Sequence, residues 1–233
     1  MVERGVIDYF NLPKKYFSKR GSTVDLIEKM EEKWFMKNMK VKKSDKILDF
    51  ACGSGRWSKK LHNKAQKIIA IDISPKPLSS LKKLKIISIK TILGSDERLS
   101  QFRKYFDKII FAQGLEFYKN PLNLLKKFKN SLKNKGELYL STWTPILIKN
   151  FKGVQFKENY VIVKRPTDKK NIEVFCKLRN RKQVKKLLKR AGFKKIEIKV
   201  LSIKNKSIPR NVKKMISINL KGRGLLIVSK SIK

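Results

Sequence analysis

The sequence predicts an α/β protein: seven strands in one mostly parallel sheet with helices on both faces, a helical cap before it and a small insertion after the fifth strand. Three observations predict this. From Lys46 onward, short apolar runs alternate with basic helical stretches, the pattern made by parallel strands and their crossover helices. Three of these runs end in acids, at Asp49, at Asp72 and at Asp96 with Glu97 beside it. A glycine turn, Gly53 to Gly55, follows the first. Parallel strands all point one way, so these acids should gather near the glycine turn at the edge where open α/β sheets hold ligands.

Residues 1–44 read as a helical arm and cap. In VDLIEKMEEKWFMKNM the apolar residues Val24, Ile27, Met30, Trp34 and Met39 recur near the helical period, with Ser22 or Thr23 as N-cap candidates. The preceding DYFNLPKKYFSKRG carries Tyr9, Phe10, Tyr16, Phe17 and Arg20. Packing is the simpler role for such aromatics, yet an arm ahead of a pocket suits a lid, with Tyr16 and Arg20 as its contact candidates.

The core, residues 45–143, opens with strand ILDFA and helix RWSKKLHNKA. Strand KIIAIDIS leads to helix PKPLSSLKKL, whose prolines fit a first turn. Strands IISIKTILGSD and YFDKIIFAQ follow, then helix PLNLLKKFKNSLKN, a turn at Lys135 and Gly136, and strand ELYLSTW. Residues 144–178 break the alternation with the extended patterns ENYVIVKR and NIEVFCKL, an insertion or strand pair that should cap the site. Residues 179–233 complete the domain with helix RKQVKKLLKRAG, Gly192 as its C-cap candidate, and strands FKKIEIKVL and GLLIVSK.

Composition narrows the class. The 233 residues suffice for one domain with a real core. No run of about 18 apolar residues exists to span a membrane, and the N-terminus lacks the apolar stretch of a signal peptide, so a soluble, cytoplasmic protein is expected. Cys52 and Cys176 are far apart and make no metal or redox spacing, and no metal is expected. The net charge of +41, from 59 basic and 18 acidic residues, would attract RNA or another polyanion. The basic residues are 48 Lys and 11 Arg, and Ala occurs only five times. Those numbers also fit an AT-rich coding bias, although the scarcity of acids does not follow from it. The lysines are spread over nearly every helix, as on a solvated surface.

The glycine turn admits two nucleotide readings. As a GxGxxG pattern it supplies Gly53, Gly55 and, imperfectly, Ser58, with Asp72 placed like the ribose-binding acid of a dinucleotide site. The missing third glycine and the acid Asp49 beside the loop argue against a pyrophosphate. An acid there suits a cofactor with an ammonium or sulfonium charge.

From Lys46 to Trp143, and more loosely to the end, the chain resembles the class I S-adenosylmethionine-dependent methyltransferases, particularly the type 11 group that includes quinone-biosynthesis enzymes. ILDFACGSG is similar to the family's first motif, with Ala51 in place of the commonest first glycine, and IIAIDIS to its second. FDKIIFAQGLEFYKNPLNLLKKFKNSLKNKGELYLSTW resembles the fourth strand, helix, Lys-Gly turn and fifth strand. The resemblance implies a Rossmann-like sheet and S-adenosyl-L-methionine as cofactor. It implies that Gly53 and Gly55, with Ala51, cradle the methionine and ribose, that Asp49 faces the amino-acid end, and that Asp72, followed by Ile73, accepts from the ribose hydroxyls. Ser95 stands where the family's adenine-reading acid is usual, so Asp96, with Glu97, serves only through a one-residue shift. Gln113 is implied beside the cofactor and the transferable methyl.

The implied chemistry needs few catalytic groups. A sulfonium already activates the methyl, so alignment and water exclusion do most of the work, and a base is needed only where the nucleophile must lose a proton. Glu116, in GLEFY, is the candidate base, with helix-start capping as its alternative role. The single histidine, His62, sits in a basic helix and reads as a surface residue. No Asn/Asp-Pro-Pro-aromatic motif follows the fourth strand, and neither cysteine has the context of a pyrimidine C5 nucleophile. The expectation is therefore methyl transfer to a small-molecule acceptor. RNA methylation, or a noncatalytic RNA-binding protein that retains the fold, stands as the alternative.

Overall fold

The computed structural model describes residues 4–12, 21–146, 155–164, 171–202 and 224–233. Two helices, α1 (Arg4–Phe10) and α2 (Gly21–Asn38), precede β1 (Lys46–Phe50). Then come α3 (Arg56–Leu61), β2 (Lys67–Asp72), α4 (Pro75–Lys82), β3 (Ile89–Leu93) and a 3-10 turn at Asp96–Gln101. After β4 (Phe106–Ala112), a short 3-10 turn at Leu115–Phe117 leads to α5 (Pro121–Ser131) and β5 (Leu132–Trp143). Strands β6 (Gln155–Lys157), β7 (Tyr160–Lys164) and β8 (Asn171–Phe175) precede α6 (Arg181–Arg190), β9 (Lys194–Ser202) and β10 (Gly224–Ile232).

Seven strands form one sheet in the order β3-β2-β1-β4-β5-β10-β9. The first five are parallel, and β10 runs antiparallel to both β5 and β9. Central strand β1 aligns Leu48 with Ile69 on one side and with Ile109 on the other. Both faces of such a sheet are covered, which is why β1, β2 and β4 read as nearly continuous apolar runs. Successive side chains go to opposite faces. Leu48, Phe50, Ile109 and Phe111 join Leu124, Leu125 and Phe128 of α5 in one core. Ile47, Ile68, Ile110 and Tyr139 join Ile27, Trp34 and Phe35 of α2 in the other.

Helix α2 is therefore a core helix of the sheet. Phe35 is fully buried, with its ring 5.2 Å from that of Trp57 and 5.7 Å from that of Tyr139, and its truncation to Ala would cost about 3–5 kcal/mol. The helix already starts at Gly21, so Ser22 and Thr23 lie within its first turn. Other boundaries shift as well. Helix α3 stops at Leu61, and β5 begins at Leu132, absorbing the Lys135–Gly136 turn as an irregularity in its pairing with β4. The strands within 144–178 form a separate three-stranded antiparallel sheet, β6-β7-β8. No described helix is long and apolar enough to cross a membrane.

Candidate active site

A cavity of about 600 Å³ opens at the C-terminal ends of β1, β2 and β4. Its floor is the turn after β1. Ala51, Gly53 and Gly55 all adopt positive φ, at 56°, 55° and 77°. The Gly55 N–H closes the turn on the Cys52 carbonyl at 2.8 Å. The two glycines have different duties. A Cβ on Gly53 would meet no atom of the described residues within 4 Å, so that face of the turn is open among them. A Cβ on Gly55 would lie 2.6 Å from both methyls of Leu81, so Gly55 serves helix packing.

Two strand-end acids hold this floor. Asp72 Oδ2 accepts the Gly53 N–H at 2.7 Å and Oδ1 accepts the Ser74 N–H at 2.7 Å, tying the end of β2 to the turn after β1. Asp49 is buried beneath it, where Oδ2 accepts both the Ser58 N–H, at 2.9 Å, and the Ser58 hydroxyl, at 2.6 Å. Burial pushes both carboxyls up. Asp49 reaches about 6, with the Ser58 hydrogen bonds opposing the rise. For Asp72 the opposing bonds come from Ser74 and Gly53.

The walls come from other elements. Gln113, at φ 54°, follows β4, with its N–H on Ser141 and its amide oxygen accepting the Trp143 indole N–H at 2.9 Å. Arg56 and Trp57 open α3, and Glu28 projects from α2 with its carboxylate 3.6 Å from Arg56 Nε. Burial raises the Glu28 carboxyl while Arg56 opposes it. Helix α1 closes the opposite side with Val6, Tyr9 and Phe10. The Phe10 ring stands edge-on to Phe117 at 5.3 Å. Asn11 ties this cover to the start of α4, its side chain accepting the Lys76 N–H at 3.3 Å and its carbonyl accepting from Lys76 Nζ at 3.1 Å.

Of the residues expected at the site, Asp49, Ala51, Gly53, Asp72, Ile73 and Gln113 line this cavity. Gly55, Asp96, Glu97 and Glu116 are not among the lining residues. Asp96 faces α5 instead, with Lys127 Nζ 2.5 Å from Oδ2. Burial would raise its carboxyl, but the Lys127 hydrogen bond and charge hold it below the usual range. Glu97 turns back to accept the Ser95 N–H at 2.8 Å. On the cavity side of this loop stands Tyr118, whose hydroxyl meets Ser95 Oγ at 2.9 Å.

Glu116 is fully buried, with Oε2 accepting the Thr142 hydroxyl at 2.8 Å and Oε1 lacking a partner among the described residues. Burial pushes its carboxyl up to about 7, against the Thr142 bond and the Arg179 charge. Its place inside the 3-10 turn at Leu115–Phe117 directs it toward Thr142 and not into the cavity. Tyr16 and Arg20 lie outside the described residues.

Glu28, Arg56, Trp57, Tyr118 and Trp143 also line the cavity and Glu31 stands behind it, none of them expected from the sequence. Glu31 had a signal: it lies four residues after Ile27 and four before Phe35, on the buried stripe of α2. A carboxylate on an apolar stripe requires partners. The aromatic residues had none, because long-range packing brings them to the cavity.

A family profile described as a methyltransferase domain matches residues 24–198. The chain is 27% identical over 201 residues to the tRNA U34 carboxymethyltransferase of Pseudoalteromonas translucida, covering 80% of this chain and 57% of that protein. It is 30% identical over 111 residues to the demethylmenaquinone methyltransferase of Thermotoga maritima, covering 47% of this chain and 48% of that one. The chain thus spans about half the length of the curated relatives it matches. The solved S-adenosylmethionine-dependent methyltransferase of Mesorhizobium loti shares the fold, with a TM-score of 0.67 at 15% identity over 88% of this chain and 98% of that one. With most of its length inside the family match, and with the sheet order described above, the chain belongs to the methyltransferase domain family and has the class I, Rossmann-like fold of S-adenosylmethionine-dependent enzymes.

Proposed function

We propose that this protein transfers a methyl group from S-adenosylmethionine to a small-molecule acceptor enclosed under α1. The observation that carries the reading is the joined floor of the cavity, where Asp72 binds the Gly53 N–H beside a glycine face with no atom of the described residues in front of it. A carboxylate offers about four lone-pair sites, and backbone N–H groups take two of them at Asp72. The remainder suits the paired hydroxyls of a ribose. Asp49 Oδ1 takes no hydrogen bond from the described residues, and its carboxylate suits the cationic methionine end.

When bound, the donor supplies a methyl already activated by its sulfonium. The residues of the chain then bind, orient and exclude water. Val6, Tyr9, Phe10, Phe117 and Trp143 give the cavity apolar walls, and its volume lies inside the range of about 300–1,000 Å³ usual for small-ligand sites. In this reading residues 45–143, with 179–233 completing the same domain, hold the donor, while 1–44 and 144–178 cover the acceptor. Glu28 lines the cavity where Glu116 does not, and is the carboxylate placed to accept a proton from an acceptor that must lose one. We place the reaction in the cytoplasm, because Cys52 and Cys176 are buried free thiols suited to a reducing compartment.

A second reading, RNA methylation, is favoured by the net charge of +41 and by the tRNA-acting relative. The cavity itself does not favour a polyanion. Its lining sets the acids Glu28, Asp49 and Asp72 against Arg56 and Lys76, in a chain where bases far outnumber acids. The RNA backbone would have to lie on the basic surface outside, with binding that weakens steeply as salt rises.

Labelled methyl supplied as S-adenosylmethionine to native-cell extract with this protein, then fractionated, separates the two. Label among small molecules is expected, and label in RNA would favour the second reading. No labelled product, together with no heat on titration with S-adenosylmethionine or its demethylated product, would refute both.

A further inference from the structure

Glu31 of α2 is fully buried and does not line the cavity, yet its carboxylate collects four donors from three other elements. Oε1 accepts from Arg56 Nη2 and, at 3.1 Å, from the Trp57 indole N–H. Oε2 accepts from Gln113 Nε2 at 3.1 Å and from the Ser141 hydroxyl. One oxygen thus serves the start of α3 and the other serves the ends of β4 and β5. A buried carboxylate needs donors to offset its lost hydration, and here Arg56 and three neutral donors supply them.

Three of the four donor residues, Arg56, Trp57 and Gln113, line the cavity. Gln113 is the most constrained. Its backbone is left-handed at φ 54° and its N–H is bound to Ser141. A carboxylate only accepts and an indole N–H only donates. With Glu31 on one side and Trp143 on the other, the amide therefore has a single orientation, nitrogen toward Glu31 and oxygen toward Trp143. One amide hydrogen and one oxygen lone pair remain for a ligand.

We propose that Glu31 is a positioning residue of the transfer site: its two oxygens set the Arg56 guanidinium and the Gln113 amide together. It thereby couples the wall beside the glycine turn to the wall at the ends of β4 and β5. Helix α2 is then part of the site as well as part of the core. The proposal rests on the methyltransferase reading for its ligand but not for its geometry. Without the Glu31 carboxylate, Gln113 is free to turn, and among the described residues Arg56 keeps one ion-pair partner, the partly exposed Glu28, beside the Trp57 ring.

The test uses the full-length protein with Glu31→Gln, Gln113→Ala and the double variant, all in a Trp34→Phe background so that Trp57 and Trp143 report alone. Ile27→Ala, on the same buried stripe of α2, is the control for lost packing. Binding of S-adenosylhomocysteine is followed by calorimetry, indole emission by fluorescence, and stability by urea unfolding. Glu31→Gln should weaken binding about tenfold and shift the indole emission, and Gln113→Ala should add little in that background, the signature of coupled residues. Ile27→Ala should lose stability while binding stays within about twofold, as for a site-independent packing change. Additive losses for Glu31 and Gln113, or an equal loss of affinity in Ile27→Ala, would overturn the proposal. If the unchanged protein binds no S-adenosylhomocysteine, the methyltransferase reading fails. The emission arm then decides this proposal by itself, since unchanged combined emission of Trp57 and Trp143 in Glu31→Gln refutes the positioning.

Discussion

Replacing Asp49 with Asn should stabilise the ligand-free protein above pH 6 while weakening its hold on the methyl donor. Asp49 is buried, and burial raises its carboxyl from 3.8 to about 6. A group raised in the folded state contributes stability that is complete below its unfolded value and is lost as pH rises through the folded one. The window here is therefore about pH 4 to 6. At about 1.36 kcal/mol per unit, the penalty for the charged form at neutral pH is on the order of 3 kcal/mol. Asn keeps an oxygen for the Ser58 N–H and hydroxyl, now 2.9 and 2.6 Å from Oδ2, and removes the charge. After relaxation of the site the gain should be about 1–3 kcal/mol, and each kcal/mol raises the melting temperature by about 2–4 °C in a chain of this size. Thermal unfolding at pH 8 and pH 4 reads it directly: a rise at pH 8 that vanishes at pH 4. Calorimetry at pH 8 should show donor affinity lower by tenfold or more, since about 1.4 kcal/mol of lost charge interaction suffices. Equal destabilisation at both pH values would refute the argument, because the buried charge would then not be the dominant cost.

The two turn glycines should separate stability from binding. Gly55→Ala forces a left-handed alanine against Leu81 and should cost about 2–4 kcal/mol in urea unfolding. Gly53→Ala meets no atom of the described residues and should cost only about 1 kcal/mol, yet lower donor affinity because its methyl enters the cavity. Glu116→Gln should flatten the stability profile between pH 4.5 and about 7, since the native carboxyl is raised across that window and its stabilisation is lost as pH rises. Asp96→Asn should leave donor affinity within about twofold and cost at most about 1 kcal/mol, the value of a partly exposed ion pair. A tenfold loss of affinity there would restore Asp96 to adenine recognition.

Strand-end acids and turn glycines are legible in the sequence because they depend on local chain geometry. A buried parallel strand reads as an apolar run, and the residue that ends it reaches the sheet edge by topology alone, which is why Asp49 and Asp72 both line the cavity. Asp96 and Glu116 stand off the cavity lining. Both follow their strands closely, but each sits in a 3-10 turn, where one residue changes the direction of the side chain by about 120°. Asp96 thus meets Lys127 on α5 and Glu116 meets Thr142 on β5, neighbours that no local pattern announces.

Sequence alone determined the α/β class, the donor-type turn and the acids at its floor, because strand periodicity, glycine backbone freedom and parallel topology act over a few residues at a time. Tertiary structure alone decided the walls. Glu31, Arg56, Gln113 and Trp143 are spread over more than a hundred positions of sequence and meet only because α2 packs on the sheet beside the ends of β4 and β5. Their hydrogen bonds depend on that packing, since a buried carboxylate needs its donors within about 3 Å, whatever their separation along the chain.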